Sequence, residues 1–167
     1  MHDELTRVDI RKMQEEIDYR TRVLRPKLIE DVQTARAFGD LSENFEYKAA
    51  KQAKNRNDSR IRYLERMIAT AVIIEDRSEE DTAGLFDWVD LWFEEDEEAQ
   101  RIRLVTTLRQ NALEWLISKE SPLGKAVMGK KTGDRVLVKV SEDYSYHVVI
   151  RGIEKGEDDA SLEISKY

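Results

Sequence analysis

The chain has 167 residues, room for one ordinary domain or for a small domain plus one extended element. Its 38% charged and 40% hydrophobic residues make a heavily charged mix that still folds, and zero cysteines exclude a disulfide scaffold and any Cys-ligated zinc or iron–sulfur site. A start of Met1-His2-Asp3-Glu4 without a leader pattern, and no apolar run near the roughly 20 residues that cross a bilayer, give the expectation of a cytoplasmic protein with no membrane partner.

From Ile10 the apolar residues fall at Ile10, Met13, Ile17, Leu24, Leu28, Val32 and Ala35, one helical face with a drift around Leu24–Val32. Pro26 sits inside this pattern, where it removes a backbone hydrogen bond and predicts a bend. A second seam runs Tyr47, Ala50, Lys54, Asn57, Ile61, Leu64, Ile68, Ala71. Only Phe38-Gly39-Asp40-Leu41-Ser42 separates the two, so the helices are expected to pair antiparallel as a hairpin over residues 1–75. Residues 1–75 hold 15 Lys/Arg against 14 Asp/Glu, whereas residues 76–167 hold 13 against 21. The whole-chain charge of −7 therefore hides a basic stripe of Lys48, Lys51, Lys54, Arg56, Arg60, Arg62 and Arg66.

After Glu75 the period changes. Runs of apolar and polar alternation at Phe86–Phe93, Gln100–Thr107, Ala112–Ser118, Arg135–Val140 and Tyr144–Ile153 predict strands, with turns at Glu94–Glu98 and Ser141-Glu142-Asp143. Ser121-Pro122 reads as N-cap and first residue of a short helix that runs to Met128 and stops at Gly129. Residues 76–167 are thus expected to form a small antiparallel sheet with one short helix, ending in a loose polar tail over Glu154–Tyr167. The whole is of the α+β class. Trp88, Trp92 and Trp115 read as core, and His147 as an ordinary strand histidine.

At the hairpin tip Asp40 and Glu43 stand three residues apart. That is the spacing of a capping box. It is also a pair of carboxylates suited to a hard cation such as Mg²⁺, though too few to hold it alone. Both readings fit the spacing.

Leu24-Arg25-Pro26 and Ile29-Glu30, followed by the unbroken run Ala35-Arg36-Ala37-Phe38-Gly39-Asp40-Leu41-Ser42-Glu43-Asn44-Phe45-Glu46-Tyr47-Lys48-Ala49-Ala50-Lys51, resemble the hairpin of the GreA/GreB transcript-cleavage factors. Ser121-Pro122-Leu123-Gly124-Lys125-Ala126, Gly129-Lys130-Lys131 and Gly133-Asp134 resemble the same family's C-terminal domain. The resemblance implies an FKBP-like fold for residues 76–167. It implies a partner, bacterial RNA polymerase, entered through its secondary channel, and contact with the nascent RNA 3′ end; DNA is met only indirectly. It further implies that the chain is not itself an enzyme: Asp40 and Glu43 help the polymerase hold Mg²⁺ for cleavage of backtracked RNA, and no cofactor is bound in isolation. Arg36, Lys48, Lys51 and Arg56 correspond to the family's basic patch, Phe45 and Tyr47 to tip support, and Ser121 and Pro122 to polymerase docking. The second domain departs from the family pattern at Val105-Thr106-Thr107 and Ala83–Trp88. Three other readings stay open: a related regulator that binds the same channel without stimulating cleavage, a prolyl isomerase using the second domain, and a hairpin chaperone.

Overall fold

The computed structural model describes residues 3–39, 44–76 and 78–165. The chain divides into two compact units: residues 10–71 with the extreme N-terminus, and Glu4–Asp9 together with Val72 onward.

Strand β1 (Glu4–Leu5) and the first turn of helix α1 (Arg7–Tyr19) open the chain. A five-residue π turn, Arg20–Leu24, joins α1 to α2 (Arg25–Arg36), and α3 (Phe45–Thr70) returns antiparallel. The Arg25 N–H donates to the Arg20 carbonyl, five residues back. That extra residue accounts for the drift in the seam, and the turn ends two residues before Pro26, whose missing N–H disturbs the regular ladder.

Both predicted seams point inward. Met13, Ala35, Ile61 and Leu64 are buried, and Ile10, Ile17, Leu24, Leu28 and Val32 are half-buried. Polar pairs fix the register. Glu16 accepts from Arg20 at 2.8 Å and from Arg60 at 2.7 Å. Arg20 also donates to Asn57 Oδ1 at 3.0 Å, and Asn57 Nδ2 returns a bond to the Arg20 carbonyl at 3.1 Å. Asp58 binds Arg25 and Lys54 at 3.1 and 3.0 Å.

The second unit continues with β2 (Val72–Ile73), β3 (Trp88–Phe93), β4 (Glu98–Val105), β5 (Leu116–Ser118), α4 (Pro122–Val127), β6 (Arg135–Lys139) and β7 (Ser145–Glu154). β1 and β2 form a small parallel pair. The main sheet has the order β5-β4-β3-β7-β6. Val89, Leu91, Ile102, Leu104, Val136, Val138, Val148 and Ile150 alternate inward and pack with Leu123 and Val127 of α4. α4 lies so close to β5 that a Cβ at Gly124 would meet the Ser118 carbonyl at 1.9 Å, so only glycine fits there.

The α+β class, the hairpin, both predicted turns and the short capped helix are borne out. Four details differ. β5 runs parallel to β4, so the sheet is mixed, and Ala112–Glu114 is a 3₁₀ turn rather than part of that strand. None of the three tryptophans belongs to the core: Trp88 and Trp92 are half-buried on the outer face and Trp115 is 40% exposed. Asp90 lies between the first two on the same face of β3, and an acid at that position marks the solvent side of the pleat. Finally, the tail is not loose over its described residues, up to Ser165. Lys155 Nζ reaches Asp87 at 2.5 Å and Ser78 Oγ at 2.9 Å, Gly156 N–H donates to Asp87 at 3.0 Å, and Ser165 N–H donates to the Leu108 carbonyl at 2.6 Å. Among the described residues no helix is long and apolar enough to cross a membrane.

Candidate functional site

The tip of the hairpin is built from the last turn of α2 and the first turn of α3. α2 ends at Arg36, and the Ala37 and Phe38 N–H groups close its last carbonyls through Gln33 and Ala35, both at 3.2 Å. Gly39 then takes φ = 131°, a conformation that a side chain would strain.

α3 is capped by Asn44. Its Oδ1 accepts from the Tyr47 N–H at 3.0 Å while its Nδ2 donates to the Ala35 carbonyl at 2.7 Å. One side chain thereby satisfies an open donor of α3 and clamps it to the end of α2. The cap that spacing assigns to Asp40 is therefore filled by Asn44. Asp40 and Glu43 themselves, with Leu41 and Ser42, lie outside the described residues. Asn44 is the residue that sequence reasoning overlooked. Its signal was present, an N-cap residue type three positions before Tyr47, but the Asp40/Glu43 box spacing masked it.

Around this clamp the other sequence-predicted residues fall as follows. Arg36 Nη2 donates to the Tyr47 hydroxyl at 3.4 Å, and its guanidinium lies 5.5 Å from the ring centroid. That hydrogen bond, reinforced by the charges of Lys51 and Arg36, holds the Tyr47 hydroxyl below the usual phenol pKa. Lys48 Nζ sits 5.7 Å from the Phe45 ring. Phe45 is 80% exposed and Phe38 72% exposed, so two aromatic rings stand in solvent on either side of the tip.

The basic stripe divides by task. Lys54 and Arg60 are held in ion pairs with Asp58 and Glu16. Lys48, Lys51 and Arg56 are exposed, and among the described residues no carboxylate pairs with them. Arg36, Tyr47, Lys48 and Lys51 fall within the last turn of α2 and the first two turns of α3, and Arg56 lies further along α3. Ser121 and Pro122 occupy the second unit. Ser121 Oγ accepts from the Gly124 N–H at 3.1 Å and donates to the Ser118 carbonyl at 2.7 Å, and Pro122 is exposed in the first turn of α4.

Residues 4–73 match the family model described as Transcription elongation factor, N-terminal, and residues 78–155 match Transcription elongation factor, GreA/GreB, C-term. Transcription elongation factor GreA of Thermotoga maritima is 36% identical over 151 residues, covering 90% of this chain and 97% of the relative. That of Geobacillus kaustophilus is 38% identical, covering 80% and 85%. Among solved structures, GreA factor homolog 1 of Thermus thermophilus aligns over 93% of this chain and 100% of its own, at 25% identity and a TM-score of 0.42. With both halves matched in order, and relatives above one-third identity spanning most of its length, the chain belongs to the GreA/GreB family of transcription elongation factors.

Proposed function

We propose that the chain is an accessory factor of bacterial RNA polymerase. Its hairpin enters the secondary channel, and its tip carboxylates assist cleavage of backtracked RNA. The observation that carries this reading is the Asn44 cap: with α3 already capped, Asp40 is not needed for that task.

Asp40 and Glu43 would hold Mg²⁺ together with polymerase groups, since hard oxygen donors suit that ion and two of them leave its shell incomplete. The ion, when bound, supplies charge stabilisation to the attacking and leaving oxygens of phosphodiester hydrolysis. The chain's own residues position and attract. Arg36, Lys48, Lys51 and Arg56 draw the RNA backbone by charge. Tyr47 stiffens the tip through Arg36, and exposed Phe45 offers a ring to an unpaired base. Ser121 and Pro122, at the start of α4, belong to the docking surface on the polymerase.

The test is RNA release from a backtracked elongation complex. Asp40→Asn and Glu43→Gln are each expected to reduce stimulated cleavage by at least a hundredfold, while both variants still compete with the wild-type chain for polymerase. Because Asn44 caps α3, neither change should lower the melting temperature of the hairpin appreciably. Full cleavage with Asp40→Asn would end this mechanism.

A further inference from the structure

The sheet face turned away from α4 carries residues that the core does not require. Trp88, Asp90 and Trp92 of β3 point outward, and Arg103 and Arg101 of β4 stand opposite Trp88 and Asp90. The Arg103 guanidinium lies 4.0 Å from the Trp88 ring centroid, and that of Arg151 lies 4.2 Å from Trp92. β7 is bulged at this point: Leu91 faces Ile150 and Asp90 faces Gly152, so Arg151 has no partner residue on β3. Bulges often aim a side chain at a functional surface. In this one the side chain lies over an indole.

The two tryptophans are not equivalent. Trp88 is walled in: Arg103 is buried beside it, and a Cβ at Gly156 would come within 2.9 Å of its ring. Among the described residues the cation over Trp92 is the exposed Arg151. The charges are not equivalent either. Arg101 is paired with Glu154, and Arg135 is held by both oxygens of Glu94 at 2.7 and 2.9 Å. Among the described residues no carboxylate pairs with Arg151 or with Lys139, which is exposed on the same face of β6. Residues 76–167, with 21 acidic against 13 basic side chains, thus leave the Arg151 charge beside a flat aromatic ring, with Lys139 four residues along β6 from the row that Trp92 shares with Val149 and Arg135.

We propose that this outer face binds single-stranded RNA, with a base stacked at Trp92 and phosphates held by Arg151 and Lys139. The choice of RNA as the strand rests on the function proposed above. The pairing of a ring with free cations fits a nucleotide, which presents a flat base and a phosphate together. An acidic peptide would satisfy the cations but offers no flat ring to stack on the indole.

The test uses the full chain carrying Lys51→Glu and Arg56→Glu, so that hairpin charge does not dominate, and a fluorescein-labelled single-stranded oligouridylate followed by anisotropy. Binding should persist, weaken roughly tenfold with Trp92→Leu, and return with Trp92→Phe, because a base stacks on either ring. Arg151→Gln should also weaken it, which keeps the idea testable if the leucine variant unfolds. Single strands should bind more tightly than a duplex of equal length. Binding already lost with the hairpin charges reversed, indifference to both face variants, equal affinity for duplex, or preference for a poly-glutamate peptide would each overturn the proposal. None of these results bears on the cleavage experiment, so the two readings fail separately.

Discussion

Asn44 does the work of two residues, and its two bonds can be separated. Asn44→Asp retains the acceptor for the Tyr47 N–H but loses the donor to the Ala35 carbonyl; Asn44→Ala loses both. Loss of the cap costs about 1 kcal/mol. The alanine variant should therefore melt its hairpin at lower temperature than the aspartate variant, as followed by far-UV circular dichroism. Equal melting would mean that the clamp on Ala35, not the cap, carries the stability. A second residue, Glu16, gives the hairpin a pH dependence. Burial pushes its pKa up, but hydrogen bonds and charge from Arg60 and Arg20 outweigh this and hold it below the ordinary carboxylate value. A depressed pKa stabilises the fold above the unfolded value, about 4.3, and that contribution disappears as pH falls through the folded value. Melting of the hairpin should drop in acid below about pH 4.3, and Glu16→Gln should flatten that limb.

At the scale of elements, helices and strands were largely legible because their periods differ. Spacings of three and four marked both arms, and the switch to alternation marked the sheet. What stayed hidden had no period to reveal it. In β3, Trp-Val-Asp-Leu-Trp-Phe places apolar residues on both faces, so alternation alone did not choose a side, and only Asp90 identified the solvent face. The tail from Lys155 onward is polar, and it packs through hydrogen bonds and ion pairs to residues distant in sequence, such as Asp87 and Arg109. No local pattern announces such bonds. The tip is legible in composition, yet the spacing there points to a cap four residues too early. Three N-cap residue types, Asp40, Ser42 and Asn44, compete within five positions, and the box spacing favours the wrong one.

For the whole molecule, the partition of the chain matters more than its length. Thr6 and Asp9 form a reciprocal cap at the start of α1, with Thr6 N–H donating to Asp9 at 3.0 Å and Asp9 N–H donating to Thr6 at 3.2 Å. Both belong to the second unit, where Arg109 binds Asp9 at 2.5 Å, Thr6 at 3.1 Å and Asp158 at 2.6 Å. The Arg109 and Asp9 side chains are both fully buried. Asp9→Ala leaves a buried guanidinium short of a partner, at a cost of about 3 kcal/mol. All three tryptophans lie in the second unit, so their fluorescence reports its unfolding alone. That transition should move down in Asp9→Ala, and a fragment of residues 76–167 should be less stable still. An unchanged tryptophan transition would show that the second unit stands without its N-terminal segment.

The π turn at Arg20–Leu24 has a consequence for how the arm tolerates change in length. It holds one residue more than a regular helix needs over the same rise, a local slack in the count rather than in the packing. Deleting Thr21 should convert the turn to ordinary α-helix and leave both flanking stretches of the seam facing α3. Deleting a second residue has no such reserve, and it would rotate everything from Arg25 to the tip by about 100° against its partner. The arm is therefore expected to accept the loss of one residue at this place and to reject the loss of two, with hairpin melting as the readout.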